Sequence, residues 1–420
     1  MVMNEQQKQT ISLFNPWYLG RTIDLGVGRP EHLKRMFEVV EKRKQILFVL
    51  GSRRVGKTTI LFQYIDQLIQ KGIDPKKILF LSLDNTNLQG LNLFTLISQS
   101  DYDFVILDEV HFLPDWAQIL KSLYDLPGFK TKIICSGSSS KLIEDNKAFL
   151  TGRSTSVMIS PLSYVEFKRF VHGEDQLNDY LYYGGYPEYV LEKQPNYLNE
   201  VVRDIIEKDI IKLYSIKNSQ YLFDICQILA KQVGFRGSPN KISKVLGLDN
   251  KTVVNYIEYL REVKLIETVF QYSGSLNERL YAPKKYYFND LGMRNSFTGF
   301  SDTGSLVENA VFIKLVELYG AANISYLASY KASEVDFVVK TSKNDLILVE
   351  SKYINLRESV LNSLSKAFVS NIYGKTIVKR VVVTDGISGG QILDGVRVEL
   401  ISLEDFLVKD HYLKFRNESR

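Results

Sequence analysis

The sequence predicts an α/β protein: a parallel sheet covered by helices, then a helical region, then a second α/β domain. Three observations carry that prediction. Residues 45 to 160 alternate short runs rich in Ile, Leu and Val with longer helical stretches, the runs being "ILFVL", "ILFLSL", "DFVILDE" and "TKIICSGS". Such runs suit strands buried on both faces, the condition of a parallel sheet between helical layers. A glycine-bracketed loop, "GSRRVGKTT", joins the first run to the amphipathic stretch "TTILFQYIDQLIQ". Beyond about residue 277 the pattern changes, to a helix over 305–319 and the alternating strands "SEVDFVVK" and "DLILVESKY".

A chain of 420 residues exceeds the usual domain of ~100–200 residues, so several domains are expected. The composition shifts divide it into an N-terminal segment (1–35), the parallel-sheet domain (36–170), a helical connecting or lid region (171–237), a helix-turn-helix (238–275) and a final α/β domain (276–420). Between the sheet domain and the helices, "SPLSYVEFKRF" and "YLYYGGYPEYV" read as turn-rich.

Apolar residues make up 45% and charged residues 24%, a globular balance rather than that of a disordered chain. No stretch approaches the ~18 uninterrupted apolar residues of a membrane span. The first residues, "MVMNEQQKQT", hold no basic segment before an apolar one, so no secretory signal, no membrane partner and a cytoplasmic location are expected. Two distant cysteines, Cys135 and Cys226, exclude a disulfide framework and a cysteine-built zinc site. A formal charge of +5 is compatible with a polyanionic partner without requiring one.

Gly51, Gly56, Lys57 and Thr58 fit the template G-x-x-x-x-G-K-[ST]. In such a loop successive backbone N–H groups surround phosphate oxygens at a helix N-terminus. Ser52, Arg53, Arg54, Val55 and Thr59 complete the expected nucleotide-binding stretch, with Lys57 on the terminal phosphates and Thr58 on Mg²⁺. A glycine-rich turn with an incidental lysine is the alternative, and the flanking strand and helix argue against it. Hydrolysis also needs a carboxylate for the metal and a group to polarise water. "FVILDE" supplies both, Asp108 for the metal and Glu109 for the water.

With these residues the chain resembles the AAA+ and related P-loop ATPases, which carry an extra strand between the two motifs and a catalytic glutamate beside the metal-binding aspartate. The resemblance places a polar sensor of the γ-phosphate at the end of "TKIICSGSSS", on Ser136 or Ser138. A plain Ser/Gly turn is the other reading. In "TGRSTSV", Arg153 is a candidate arginine finger, in its own or a neighbouring subunit, and Arg53 and Arg54 are further candidates.

The set "GSRRVGKTT", "FVILDEVHFLPDWAQILKSLYD", "SGSSSKL", "GRSTSVMISPLSYVEF" and "YGGYPEYVL" resembles one prokaryotic family over residues 30 to 410. It comprises archaeal and bacterial AAA-type ATPases fused to a C-terminal domain of unassigned function, with a winged helix and a nuclease-like core. Gly184, Gly185 and Pro187 of its "GGYPEY" segment read as a turn needing permissive φ.

Over 238–270, apolar residues at helical spacing (Ile242, Val245, Leu246; then Val253, Tyr256, Ile257, Leu260) predict two helices joined by "GLDN". Gly247 suits the C-cap and Asp249 or Asn250 the N-cap. Lys251, Thr252, Asn255 and Tyr259 would face a groove. Five basic residues against three acidic ones over 238–264 leave only +2, so nucleic acid and protein both stay open as partners.

In the last domain, Glu334 and Asp336 share one strand face, as do Glu350 and Lys352. Asp336, Glu350 and Lys352 match the spacing of a PD-(D/E)xK nuclease core, with Val335 in place of the proline. There acids bind Mg²⁺ and the lysine supports the water or the transition state. Glu308, on the apolar stripe of its helix, would point into the same site. An ordinary cross-strand ion pair is the alternative.

Together these readings predict a Mg²⁺-dependent ATPase that binds ATP and ADP and couples nucleotide state to a winged-helix, nuclease-like half acting on DNA. Two alternatives use the same residues: a switch binding a protein partner through an inactive nuclease-like fold, and an ATP-gated, metal-dependent nuclease. An oligomer is compatible with all three.

Overall fold

The apolar run Ile46–Leu50 is buried along its whole length and forms strand β1 of a five-stranded parallel sheet. Its companions are β2 (Ile78–Ser82), β3 (Phe104–Asp108), β4 (Lys132–Gly137) and β5 (Ser154–Met158), in the order β2-β3-β4-β1-β5. The computed structural model describes residues 3–42, 45–138, 148–300, 302–328, 334–372 and 374–410. They fall into two units, Met1–Ser160 and Pro161–Arg420.

Four of the expected runs are thus β1 to β4. β5 was not expected: "STSVM" is polar and lies at the sheet edge, with Val157 alone buried, so it leaves no continuous apolar run. Phe48, Leu107, Trp116 and Leu120 are among the side chains that fill one face.

Asn15 and Trp17 tie the N-terminal segment to the opposite edge. The fully buried Asn15 amide accepts from Phe80 N–H at 2.7 Å and donates to Phe80 O at 2.9 Å, as a neighbouring strand would. Trp17 Nε1 donates to Ile78 O at 3.1 Å. Residues 3–35 therefore belong to the sheet unit, and residues 161–170 to the second.

The second unit opens with helices where turns were expected: Tyr164–Phe170, Gln176–Tyr183 and Pro187–Glu192. Ser163 and Glu166 form a capping box, satisfying two end donors reciprocally. Two glycines then permit close approach of main chains. Gly184 takes φ +71°, and a Cβ there would lie 2.6 Å from Asp290 Oδ1. At Gly185, with ordinary φ, the reason is crowding instead: a Cβ would meet Leu162 O at 2.3 Å.

Asp290, buried, accepts from Gly185 N–H at 2.6 Å and from Met293 N–H at 2.8 Å, so it joins this crossing to the helix Leu291–Thr298. Asp290→Ala would strand both donors, at ~1–3 kcal/mol each, and is expected to lower unfolding stability by about 3 kcal/mol in urea titration. A loss under about 1 kcal/mol would mean that water replaces the carboxylate.

Helices Pro239–Leu246 and Asn250–Glu262 follow, with Gly247 as the left-handed C-cap and Asp249 accepting from Lys251 and Thr252 N–H. Two members of the expected pattern differ. Val245 is 73% exposed, and Tyr259 stacks at 3.6 Å on Tyr214, so it does not face an open groove.

The chain then builds an eight-stranded mixed sheet in the order β12-β13-β11-β10-β9-β8-β6-β7. Its strands are β6 (Ile266–Gln271), β7 (Lys285–Phe288), β8 (Ile324–Ala328), β9 (Glu334–Lys340), β10 (Asp345–Lys352), β11 (Thr376–Thr384), β12 (Gly389–Leu393) and β13 (Val396–Ser402). The helix Thr303–Tyr319 packs against β9 and β10. No helix among the described residues is long and apolar enough to cross a membrane.

Candidate active site

The parallel strands of the first unit deliver their C-terminal ends to one edge. There the loop after β1 meets the carboxylates after β3 and the hydroxyls after β4. Gly51 opens the loop pressed against β5, where a Cβ would stand 2.3 Å from Ile159 O. Gly56, at φ +90°, turns the chain into the helix Lys57–Gln70. Val55 is buried, Arg54 is exposed at φ +60°, and Arg53 and Thr59 are partly covered. Lys57 folds back over its own loop, 5% exposed, with Nζ donating to Gly51 O at 3.1 Å and Ser52 O at 3.0 Å.

Thr58 Oγ1 donates to Asp108 Oδ2 at 2.8 Å, so hydroxyl and carboxylate converge as an all-oxygen pair of the kind Mg²⁺ takes alongside phosphate and water. Burial pushes the Asp108 carboxyl up from its ordinary value and the Glu109 charge adds to this, against hydrogen bonds from Ser136 and Thr58. Ser136 bridges the pair: its hydroxyl bonds Asp108 Oδ1 and accepts from Glu109 N–H at 3.0 Å. Ser138 keeps a buried hydroxyl without a partner among the described residues. The rest of the "SGSSSKL" segment lies outside those residues.

Glu109 stands at φ +52°, a left-handed conformation that costs a non-glycine residue about 1 kcal/mol and concentrates at functional sites. Its carboxylate lies between Lys57 Nζ at 3.9 Å and His111 Nδ1 at 3.3 Å. The strain thus directs Glu109 back toward the phosphate loop rather than along the strand.

Arg153 is not at this edge. Its guanidinium grips Asp125 through Nε at 2.8 Å and Nη2 at 3.1 Å. The next residue, Ser154, pairs with Ile46 at the start of β1, whereas the loop follows Leu50 at its end. Four strand residues at ~3.3 Å each separate the two by about 13 Å. A role for Arg153 on its own subunit's phosphates is therefore ruled out by placement.

Sequence reasoning missed Arg29. Only 2% exposed, it donates to Val55 O at 3.0 Å inside the loop and to Ser160 O at 2.9 Å beyond β5. A buried guanidinium thereby braces the loop from behind. The signal was faint, a lone arginine before Pro30 in "VGRPEHL".

In the second unit, Glu308, Glu334, Asp336, Glu350 and Lys352 do come together, and with them Lys285, which the strand "KYYF" gave no reason to suspect beyond an inward lysine. Lys352 Nζ is 3.1 Å from Glu350 Oε2. Burial and the Asp336 charge push Glu350 well above the ordinary carboxylate range. For Asp336 burial acts upward too, but Lys285, Lys352 and the Ser351 N–H outweigh it and hold the group low. Among the described residues no group of three or more His, Cys, Asp or Glu is arranged to hold a metal ion.

A parallel sheet ordered β2-β3-β4-β1-β5, with a glycine loop after β1 and Asp-Glu after β3, defines an AAA-type P-loop ATPase domain. Residues 43–168 match the family model described as "AAA domain". Residues 174–304 and 303–404 match two models described as domains of unknown function, DUF8612 and DUF4143. An "Uncharacterized protein" of Haemophilus influenzae is 27% identical over 91% of this chain and 99% of its own. "Uncharacterized protein MJ1544" of Methanocaldococcus jannaschii is also 27% identical, over 76% of this chain and 77% of its own. Among solved structures, AMPPCP-bound DnaA from Aquifex aeolicus superposes with a TM-score of 0.30 at 18% identity, covering 62% of this chain and 90% of that one. That superposition is loose, and the domain's class rests on strand order and the family model.

Proposed function

We propose that the first unit binds and hydrolyses ATP with Mg²⁺, and that nucleotide state is passed to a second unit that works on DNA. One observation carries the ATPase reading: the convergence of Lys57, Thr58, Asp108, Glu109 and Ser136 on one sheet edge. Gly51 to Thr59 cradle the phosphates, with Lys57 neutralising the terminal ones. Thr58 and Asp108 would hold the cation, which would supply neutralisation of the developing phosphate charge. Glu109 polarises the attacking water, and the Ser138 hydroxyl, without a partner among the described residues, takes the γ-phosphate contact, Ser136 being engaged by Asp108. Arg153 acts on phosphate from a neighbouring subunit of an oligomer.

For the second unit, the paired helices 239–246 and 250–262 followed by the antiparallel β6 and β7 support a winged-helix reading, and the acids on β9 and β10 a nuclease-like one. ATP turnover measured with and without duplex or single-stranded DNA tests the coupling. Stimulation is expected, with an affinity that falls steeply as salt rises. Turnover and binding indifferent to DNA would remove nucleic acid as the partner.

A protein partner is the second reading. It is favoured by exposed Val245 and Val254 on the two helices and by the engagement of Tyr259 with Tyr214. One stoichiometric protein captured without nucleic acid would favour it over DNA.

A further inference from the structure

Four carboxylates cannot share a buried site without cations, because each loses hydration that only an opposite charge can replace. In a nuclease core of this strand pattern that cation is a divalent metal. Here a side chain of the same chain stands among the acids. Lys285 projects from β7, 1% exposed, and its Nζ lies 3.1 Å from Glu308 Oε1, 2.6 Å from Glu334 Oε1 and 3.6 Å from Asp336 Oδ1. We propose that the Lys285 ammonium takes the place of the metal in this cluster, so that the second unit keeps a nuclease-like arrangement of acids without being a metal centre.

The remaining oxygens are committed in ways that suit an ammonium. Tyr287 OH donates to the same Glu308 oxygen at 2.6 Å. Asp336 Oδ2 accepts from Ser351 N–H at 2.9 Å and from its hydroxyl at 3.2 Å. Lys285 Nζ stands at hydrogen-bond distance from Glu334 and Glu308, 2.6 and 3.1 Å, and at ion-pair distance from Asp336, 3.6 Å, whereas Mg²⁺ demands oxygens at ~2.0–2.1 Å in a near-octahedral shell.

Formal charge leads to the same place. Glu308, Glu334, Asp336 and Glu350 bring four negative charges, and Lys285, Lys352 and Arg236, which pairs with Glu334 at 3.1 Å, bring three positive ones. A net −1 gives a divalent ion little to neutralise. Without Lys285 the cluster would stand at −2, matched to one divalent cation. Burial alone would lower the Lys285 pKa, yet the three surrounding carboxylates outweigh it and raise the group, so the ammonium stays charged.

The test is Mn²⁺ titration of the nucleotide-free full chain, followed by electron paramagnetic resonance, in wild type, Lys285→Met and Asp336→Asn/Glu350→Gln. Wild type is expected to bind no Mn²⁺ that the double variant loses. Lys285→Met is expected to bind at least about tenfold more tightly than wild type, because a buried acid cluster stripped of its counter-ion recruits another. Its melting temperature should also rise with Mn²⁺ while that of wild type stays flat. Wild-type binding that disappears in Asp336→Asn/Glu350→Gln would overturn the proposal. So would a folded Lys285→Met that binds no better than wild type. Should that variant not fold, the wild type against the double variant decides alone.

Discussion

In Lys57→Ala, ATP affinity is expected to fall by more than about 100-fold while the fold is kept. The lysine ammonium folds over the loop where terminal phosphates would sit, and a charge-assisted contact of this kind contributes about 3 kcal/mol or more. Its Nζ donates to Gly51 O and Ser52 O and stands 3.9 Å from the Glu109 carboxylate. Removing the side chain therefore withdraws a phosphate ligand without opening the core beneath it, which is built from β1, β4 and the helix face of Ile60, Leu61 and Tyr64. Fluorescent-nucleotide titration beside circular dichroism separates the two effects. An affinity within about threefold of wild type would take Lys57 out of the phosphate site.

The reach of sequence reasoning differed between the two halves for physical reasons. In the first, strands buried on both faces leave continuous apolar runs, and a phosphate loop leaves fixed glycines, so β1 to β4 and the loop were legible. β5 was not, because an edge strand with polar faces carries neither signal. Ser163-x-x-Glu166 has the spacing of a capping box, a helix-start signal that the turn-rich reading of "SPLSYVEFKRF" passed over. The acids on β9 and β10 were legible because alternation places i and i+2 on one face. Lys285 was not: it comes from β7, which β8 and β6 separate from β9 in the sheet order, and its "KYYF" run has no spacing that ties it to Asp336. Arg29 was hidden for the same reason, since its work depends on contacts across the fold rather than along the chain. For Arg153 the chain position misled only about its own subunit's loop. Its position after "TG" looked right, but parallel pairing with β1 puts the start of β5 at the far end of the sheet from the loop.

Glu109→Gln is expected to leave ATP affinity within about twofold of wild type and to lower turnover by at least about 100-fold, the usual contribution of a general base. The substitution keeps the side chain's size and an oxygen to accept from its neighbours, so the φ +52° turn and the Ser136 bond to its main chain should persist. What disappears is the negative charge that polarises water. Losing it also frees Lys57, now 3.9 Å from that carboxylate, for the phosphates, which is why binding should not weaken. Asp108→Asn provides the contrast. Thr58 and Ser136 both converge on that carboxylate, so its loss should weaken the Mg²⁺ dependence of binding as well as turnover. Single-turnover hydrolysis with a parallel binding titration distinguishes the two carboxylates. Wild-type turnover in Glu109→Gln would remove it as the water-orienting group, and a matched loss of affinity in both variants would mean that the two acids serve the cation together.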